Sequence, residues 1–201
     1  MFLIKKSPFS GGRDKLGEFL NTRGLTNYGV EIGTHRGEFA EVLLNDWTGK
    51  LTCIDPWDHL PEYAYQEQFL DSSDGNREAD YICARDRLAR FEDRANLLKM
   101  TSEQASTMYN SDAFDFVYVD GNHATPHVLH DLELWWPKLG PGGIIAGHDI
   151  IMPGWSRGDL WEHDVQNAVF QFASSRQLIV WLIPENEDNH RPWSYYMEKP
   201  L

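Results

Sequence analysis

Short, nearly continuous apolar runs alternate along this chain with longer segments whose apolar residues recur every three to four positions. The runs YGVEIG (28–33), KLTCID (50–55), ANLLKM (95–100) and FDFVYVD (114–120) are too short for helices and read as buried strands. GPGGIIAGHD (140–149) adds a turn and a fifth strand, and QLIVWLI (177–183) and WSYYME (193–198) the last two. Helices are predicted between them. RDKLGEFLNTR (13–23) is amphipathic and stops at Gly24. GEFAEVLLND (37–46) places Phe39, Val42 and Leu43 on one face. READYICARDRLARF (77–91) carries Tyr81, Ala84, Leu88 and Phe91 near helical spacing, and SEQASTMY (102–109) is a short helix. TPHVLHDLELWW (125–136) has Thr125 as its expected N-cap, Pro126 at its first position and Val128, Leu132 and Trp135 as its buried stripe. DVQNAVFQFASS (164–175) is the last helix.

Strands alternating with helices imply a doubly wound α/β fold, a parallel sheet covered by helices on both faces. PENEDNHRP (184–192) is too short to hold a crossover helix, so the last strand is expected to run antiparallel. No repeat or low-complexity tract divides the chain, and a length of 201 residues suits one domain over 1–201. PWDHLPEYAYQEQFLDSSDGN (56–76) breaks the alternation. A long aromatic and acidic segment at that place reads as a lid-like insertion.

Composition narrows the function classes. Apolar residues make up 41% of the chain, enough for a packed core, and no window reaches ~18 consecutive apolar residues, so no membrane span is expected. The start MFLIKKSPFSGG lacks the charged-then-apolar order of a signal peptide, and a cytoplasmic protein is expected. A formal net charge of −13, with no run of Lys or Arg, argues against a nucleic-acid partner. Cys53 and Cys83 are expected to be free and buried.

The loop after the first predicted strand carries the first chemistry. VEIGTHRG sets Glu31, Gly33 and Gly37 at a strand-to-helix turn, the place where doubly wound sheets take nucleotides. A dinucleotide fingerprint requires G-x-G-x-x-G. Here His35 stands two after Gly33, and Glu31 would repel a polyphosphate. A carboxylate suits an ammonium group instead. Asp55, about 20 residues beyond the turn, is where an acid commonly bonds ribose hydroxyls. Amino group, ribose and little phosphate together describe S-adenosylmethionine.

The segments EIGTHRG, CIDPW, FVYVDGNH and GPGGIIAGHD, in that order, resemble class I S-adenosylmethionine-dependent methyltransferases. Within them the chain is similar to catechol-type and macrolide-sugar O-methyltransferases and the cephalosporin hydroxylase-like group, over roughly residues 25–183. The resemblance implies a Rossmann-like seven-stranded sheet of order 3-2-1-4-5-7-6, with strand 7 antiparallel. It places Glu31 at the methionine amino group, Gly33, Thr34 and Gly37 in the turn beneath it, and Asp55 on the ribose. Ser102 falls in the loop that contacts adenine, and Trp57 where a ring stacks on or covers the base.

Asp120 and Asp149 close the fourth and fifth predicted strands, which end side by side at the carboxyl edge. In metal-dependent relatives the first supplies a metal ligand and an acidic pair after the fifth strand supplies the others. Here that pair is His148 and Asp149, so the resemblance implies a metal site of Asp120, His148 and Asp149. Its imidazole suits Mn²⁺ better than Mg²⁺. His123, three residues after Asp120, takes the place of the relatives' catalytic lysine and is the expected base for an acceptor hydroxyl. His127 and His130 lie on the helix away from its buried stripe and are expected on the surface.

The function so implied is methyl transfer from S-adenosylmethionine to a hydroxyl of a small molecule, a sugar or an aromatic ring, assisted by a divalent cation (Mg²⁺ or Mn²⁺) or not. Trp155, Arg157, Trp161 and His163 are candidate acceptor contacts. Two other classes stay open on the residues alone: a metal-dependent hydrolase or hydroxylase using Asp120, His123, His148 and Asp149, and a Rossmann oxidoreductase. A homo-oligomer is an open alternative to a monomer.

Overall fold

The computed structural model of the chain describes residues 2–9, 11–58, 76–151, 164–184 and 192–201. The expected lid over 56–76 lies almost wholly outside the described residues, as do Trp155, Arg157, Trp161 and His163. The described strands are β1 (Leu3–Lys6), β2 (Tyr28–Ile32), β3 (Lys50–Asp55), β4 (Ala95–Lys99), β5 (Phe114–Val119), β6 (Leu139–Ile150), β7 (Ile179–Ile183) and β8 (Trp193–Glu198). The helices are α1 (Leu16–Thr22), α2 (Glu38–Asp46), α3 (Arg77–Leu88), α4 (Ser102–Ser106), α5 (Thr125–Trp135) and α6 (Asp164–Arg176).

Among the described residues one eight-stranded sheet runs in the order β1-β7-β8-β6-β5-β2-β3-β4. Read inward from β4, the order 3-2-1-4-5-7-6 holds, with β8 antiparallel to both β6 and β7. The seven-strand expectation is corrected by β1, which pairs in parallel with β7 at the edge. Its four residues, LIKK, are all exposed, so no apolar-in, polar-out pattern marks it; backbone pairing holds it, with Lys5 over the Trp181 ring.

The central strands bury both faces, hence their unbroken apolar runs. Val30, Ile32, Val117, Val119 and Ile145 pack under α5 and α6. Leu51, Cys53, Phe116, Tyr118 and Ile144 face the other way, with α1 and α2. Trp47 closes this second layer. It is buried, donates from Nε1 to the Leu25 carbonyl at 2.6 Å, and lies so close to Gly29 and Gly49 that a Cβ on either would meet its ring.

Several boundaries move. Arg13–Lys15 forms a 3₁₀ turn before α1, and the helix expected through Phe91 tightens to 3₁₀ geometry after Leu88. Val42 is partly exposed, while Phe39 and Leu43 are buried. Cys53 is buried and free as expected, but Cys83 is exposed. Thr125 begins α5 instead of capping it. Its hydroxyl donates to Asp164 Oδ1 at 2.6 Å, which ties the start of α5 to that of α6, and Asn122 Oδ1 accepts from Ala124 N before the helix.

β6 carries the feature that shapes its end. Gly147 pairs with Tyr195 and Ile150 with Trp193, so His148 and Asp149 together oppose Ser194. This is a β-bulge. The strand passes it in close contact: a Cβ on Gly147 would lie 2.5 Å from both the Val119 carbonyl and the Tyr195 hydroxyl. Gly147→Ala is therefore expected to cost ~1–3 kcal/mol through overpacking, measured by urea unfolding. A variant as stable as wild type would show that the strand end yields freely.

Candidate active site

β2 leads to β3 on one side and lies beside β5 on the other, so the chain reverses direction across the sheet between β2 and β5. The crevice outside the carboxyl ends of these strands is where an open α/β sheet binds ligands. Its floor is a backbone contact. Asp120 N donates to the Ile32 carbonyl at 2.8 Å, and Gly33, at φ +88°, sits where any Cβ would be 2.2 Å from the Asp120 carbonyl oxygen. Only glycine fits. Gly37, at φ +75°, lets the first turn of α2 approach Ala84 and Leu88 of α3. Both glycines are thus placed by packing as well as by the turn.

Glu31 is the charged residue within the apolar β2. It is 2% exposed, its Oε2 has no hydrogen-bond partner, and buried Thr34 lies beside it. Burial pushes the Glu31 carboxyl up to about 8, and the charges of Asp120 and Asp55 push the same way, tempered by the Thr34 hydroxyl. An orphaned buried carboxylate costs stability in the absence of a ligand, and an ammonium group is what would satisfy it.

Asp55 spans the neighbouring turn. Its two oxygens accept from His35 N at 2.9 Å and Trp57 N at 2.8 Å, residues held at φ +49° and +41°. Burial raises its pKa, and these two amides oppose the rise. Trp57 is buried rather than open to a base. It donates from Nε1 to the His35 carbonyl at 2.7 Å and meets Tyr81 edge-on. Ser102 opens α4 just after its N-cap Thr101, whose hydroxyl accepts from Gln104 N. The Ser102 hydroxyl is engaged inward: it donates to Asp131 at 2.5 Å and accepts from Trp135 Nε1 at 2.8 Å.

At the β5 and β6 ends the structure groups Asp120, His123 and Asp149, with one ligand-type atom from each lying within 4.8 Å of the others. His123 Nε2 stands 3.4 Å from Asp120 Oδ1 and 3.3 Å from Asp149 Oδ2. The bulge makes this possible, because Asp149 takes φ +60° and is turned toward β5. His148 does not join the group. Its Nδ1 lies 3.2 Å from Asp149 Oδ2, the same oxygen that His123 approaches. Of the expected set of Asp120, His148 and Asp149, the group contains the two carboxylates, together with His123. His130 is exposed and His127 half-buried, away from the stripe of Val128, Leu132 and Trp135.

Two site residues escaped the sequence reading. Asp131 is 7% exposed, and burial lifts its carboxyl to about 6. Its spacing had shown this, since 128, 131, 132 and 135 make one helical stripe. Arg13 had no such signal. Its Nη1 reaches Asp120 Oδ2 at 3.4 Å and the Tyr118 hydroxyl at 3.5 Å across more than a hundred residues of chain.

The buried Glu31 has a consequence for stability. Its carboxyl ionises near 4.5 in an unfolded chain and near 8 when folded, so between these values the unfolded state holds fewer protons and stability falls as pH rises. In unliganded wild type the loss is expected to approach ~1.4 kcal/mol per pH unit inside this window. Glu31→Gln should flatten that slope in thermal or urea unfolding between pH 5 and 8. An unchanged slope would mean that Glu31 is ionised throughout.

Comparison with known proteins agrees with this geometry. A comparison with curated proteins gives no match. Among solved structures, the O-methyltransferase TomG from Streptomyces achromogenes, involved in tomaymycin synthesis and solved with S-adenosylmethionine, superposes with a TM-score of 0.65 at 14% identity, covering 93% of this chain and 79% of that one. An O-methyltransferase from Bacillus cereus, in complex with S-adenosylhomocysteine, gives 0.64 at 15% identity, over 93% and 80%. The N-methyltransferase NodS from Bradyrhizobium japonicum gives 0.59 at 16%, over 94% and 95%. These likenesses establish the fold. The sequence profile of the methyltransferase domain matches residues 30–150, from the buried Glu31 strand to the bulge of β6. More than half of the chain lies in that match, and the protein belongs to the methyltransferase domain family.

Proposed function

We propose that the protein transfers a methyl group from S-adenosylmethionine to a hydroxyl of a small-molecule acceptor. The observation that carries this reading is Glu31: a buried carboxylate whose Oε2 has no hydrogen-bond partner, at the switch point of the sheet, above a turn that admits only glycine. Glu31 takes the donor ammonium. Asp55, already fixed by two amides, turns its remaining lone pairs to the ribose hydroxyls. Gly33, Thr34 and Gly37 form the turn beneath. Ser102 has its hydroxyl committed to Asp131 and Trp135, so it serves the adenine side through its backbone, and Trp57 serves as the packed wall of the ribose turn. When bound, the donor supplies a methyl group already activated by its sulfonium. The protein's task is to hold the acceptor in line and dispose of its proton, and positioning of this kind is worth ~7–11 kcal/mol.

Asp120, His123 and Asp149 receive the acceptor end. Two carboxylates converging on one imidazole nitrogen require a positive centre between them. In one form it is the imidazolium of His123, which takes the hydroxyl proton only after it has released one of its own and become neutral. In the other it is a divalent cation held by Asp120, His123 and Asp149, a nitrogen and oxygen set that suits Mn²⁺ better than Mg²⁺. Such a cation lowers the pKa of a hydroxyl placed against it. The net charge of −13 and the carboxylates of the crevice favour a small acceptor over a phosphate backbone, and the acceptor is taken as a sugar or aromatic hydroxyl.

Glu31→Ala and Asp55→Ala are each expected to weaken binding of S-adenosylhomocysteine ten- to a hundredfold in calorimetry, the loss of one charge-assisted hydrogen bond. Wild type that takes neither donor nor product would end the reading, and binding of NAD(P)H in their place would establish an oxidoreductase. Asp120→Ala and Asp149→Ala are expected to abolish methyl transfer in an acceptor screen with labelled donor, while product binding stays near wild type. Rates with and without EDTA, in wild type and His123→Ala, separate proton from metal. Loss in EDTA identifies the cation, loss only in His123→Ala identifies the base, and full activity of His123→Ala in EDTA removes both.

A further inference from the structure

The donor that the proposed function requires brings an α-carboxylate beside its ammonium, and the crevice is otherwise hostile to one. Glu31, Asp55, Asp120 and Asp149 all face it. An anion entering there is repelled unless a cation meets it. Of the basic residues beside the turn, Arg36 and Arg77 are drawn to Asp80 on α3, Arg36 Nε lying 2.7 Å from Asp80 Oδ1. Arg13 stands on the other side. It opens the 3₁₀ turn ahead of α1, and its guanidinium lies over the Phe39 ring, 5.3 Å from the centroid. Phe39 is the second residue of α2, directly after the glycine turn, and stacks on Tyr118 at 4.0 Å. Tyr118 is the register partner of Glu31 across β2 and β5, so Arg13 covers the same face of the sheet as the orphaned carboxylate. Its charge is close enough to work against the upward push on the Glu31 carboxyl.

The contacts that Arg13 makes here are loose. At 3.4 Å to Asp120 and 3.5 Å to Tyr118, both through Nη1, they are longer than the ~2.7–2.9 Å of a strong charge-assisted bond, and the side chain is 32% exposed. A guanidinium carries five N–H donors in a fixed fork, so one that meets Asp120 and Tyr118 through Nη1 can take a second anion as well.

We propose that Arg13 binds the α-carboxylate of the donor's amino-acid end, so that Glu31 and Arg13 clasp its ammonium and carboxylate from the two sides of the β2–β5 crevice. The inference rests on the donor reading above and assigns to it a residue outside the matched 30–150 region. It makes the N-terminal segment part of the donor site.

The test compares two ligands. S-adenosylhomocysteine carries the amino-acid end, and 5′-methylthioadenosine keeps the adenine, ribose and sulfur without it. Calorimetry of wild type, Arg13→Gln and Arg13→Lys with both ligands reads the difference. Arg13→Gln is expected to weaken S-adenosylhomocysteine ten- to a hundredfold and to leave 5′-methylthioadenosine within about twofold, with Arg13→Lys restoring part of the loss. Equal loss of both ligands, from a disturbed site, would overturn the assignment. So would unchanged S-adenosylhomocysteine binding with slower turnover, which would place Arg13 with Asp120 and the acceptor. Wild type that binds neither ligand would remove the donor reading itself, an outcome separate from any effect of the substitution.

Discussion

The site depends on how closely β2 and β5 meet at their carboxyl ends. The Asp120 carbonyl occupies the space where Gly33 would carry a side chain, and the Asp120 amide is spent on the Ile32 carbonyl. This one backbone contact sets the turn above Glu31 and aims the Asp120 side chain into the crevice. It thereby sets the separation between the donor end and the acceptor end. A larger residue at 33 would force the strands apart, and every group placed from either strand would move with them.

Charge is the second constraint. A chain of net charge −13 gathers several carboxylates around one crevice and buries one of them, Glu31, with an oxygen that has no hydrogen-bond partner. That arrangement is unfavourable for the empty fold, because each desolvated or crowded carboxylate raises the cost of the others. In the proposed function cationic groups complete the site: an ammonium at Glu31, and a proton or metal ion among Asp120, His123 and Asp149. The left-handed Asp149 backbone belongs to the same account, since the bulge of β6 turns that carboxylate toward His123 in a conformation that Asp tolerates better than most residues.

The donor side is built twice over. Asp55 binds two loop amides before any ligand is considered, and the Ser102 hydroxyl joins Asp131 to Trp135. Side chains that look like ligand contacts in the sequence are here also the pegs that hold the loops. Trp57 shows the limit of such a reading: its ring is used in the wall, against Tyr81 and the His35 carbonyl.

How much of this was legible in the sequence follows from the range of each interaction. The alternation of apolar runs and amphipathic segments determined the strands from β2 to β8, the helices between them and the antiparallel last strand, because burial on two faces or one leaves its period in the chain. The placement of Glu31, Gly33, Asp55, Asp120 and Asp149 at strand ends followed from the same periods. β1 was invisible because its side chains are exposed and its pairing is through the backbone. Tertiary structure alone decided which histidine stands between the carboxylates, since the extra residue in the β6 bulge turns Asp149 so that His123 lies within 3.4 Å of both Asp120 and Asp149. It alone brought Arg13 to Asp120, for that contact joins residues far apart in the chain, and no local pattern records where a flexible cationic side chain comes to rest.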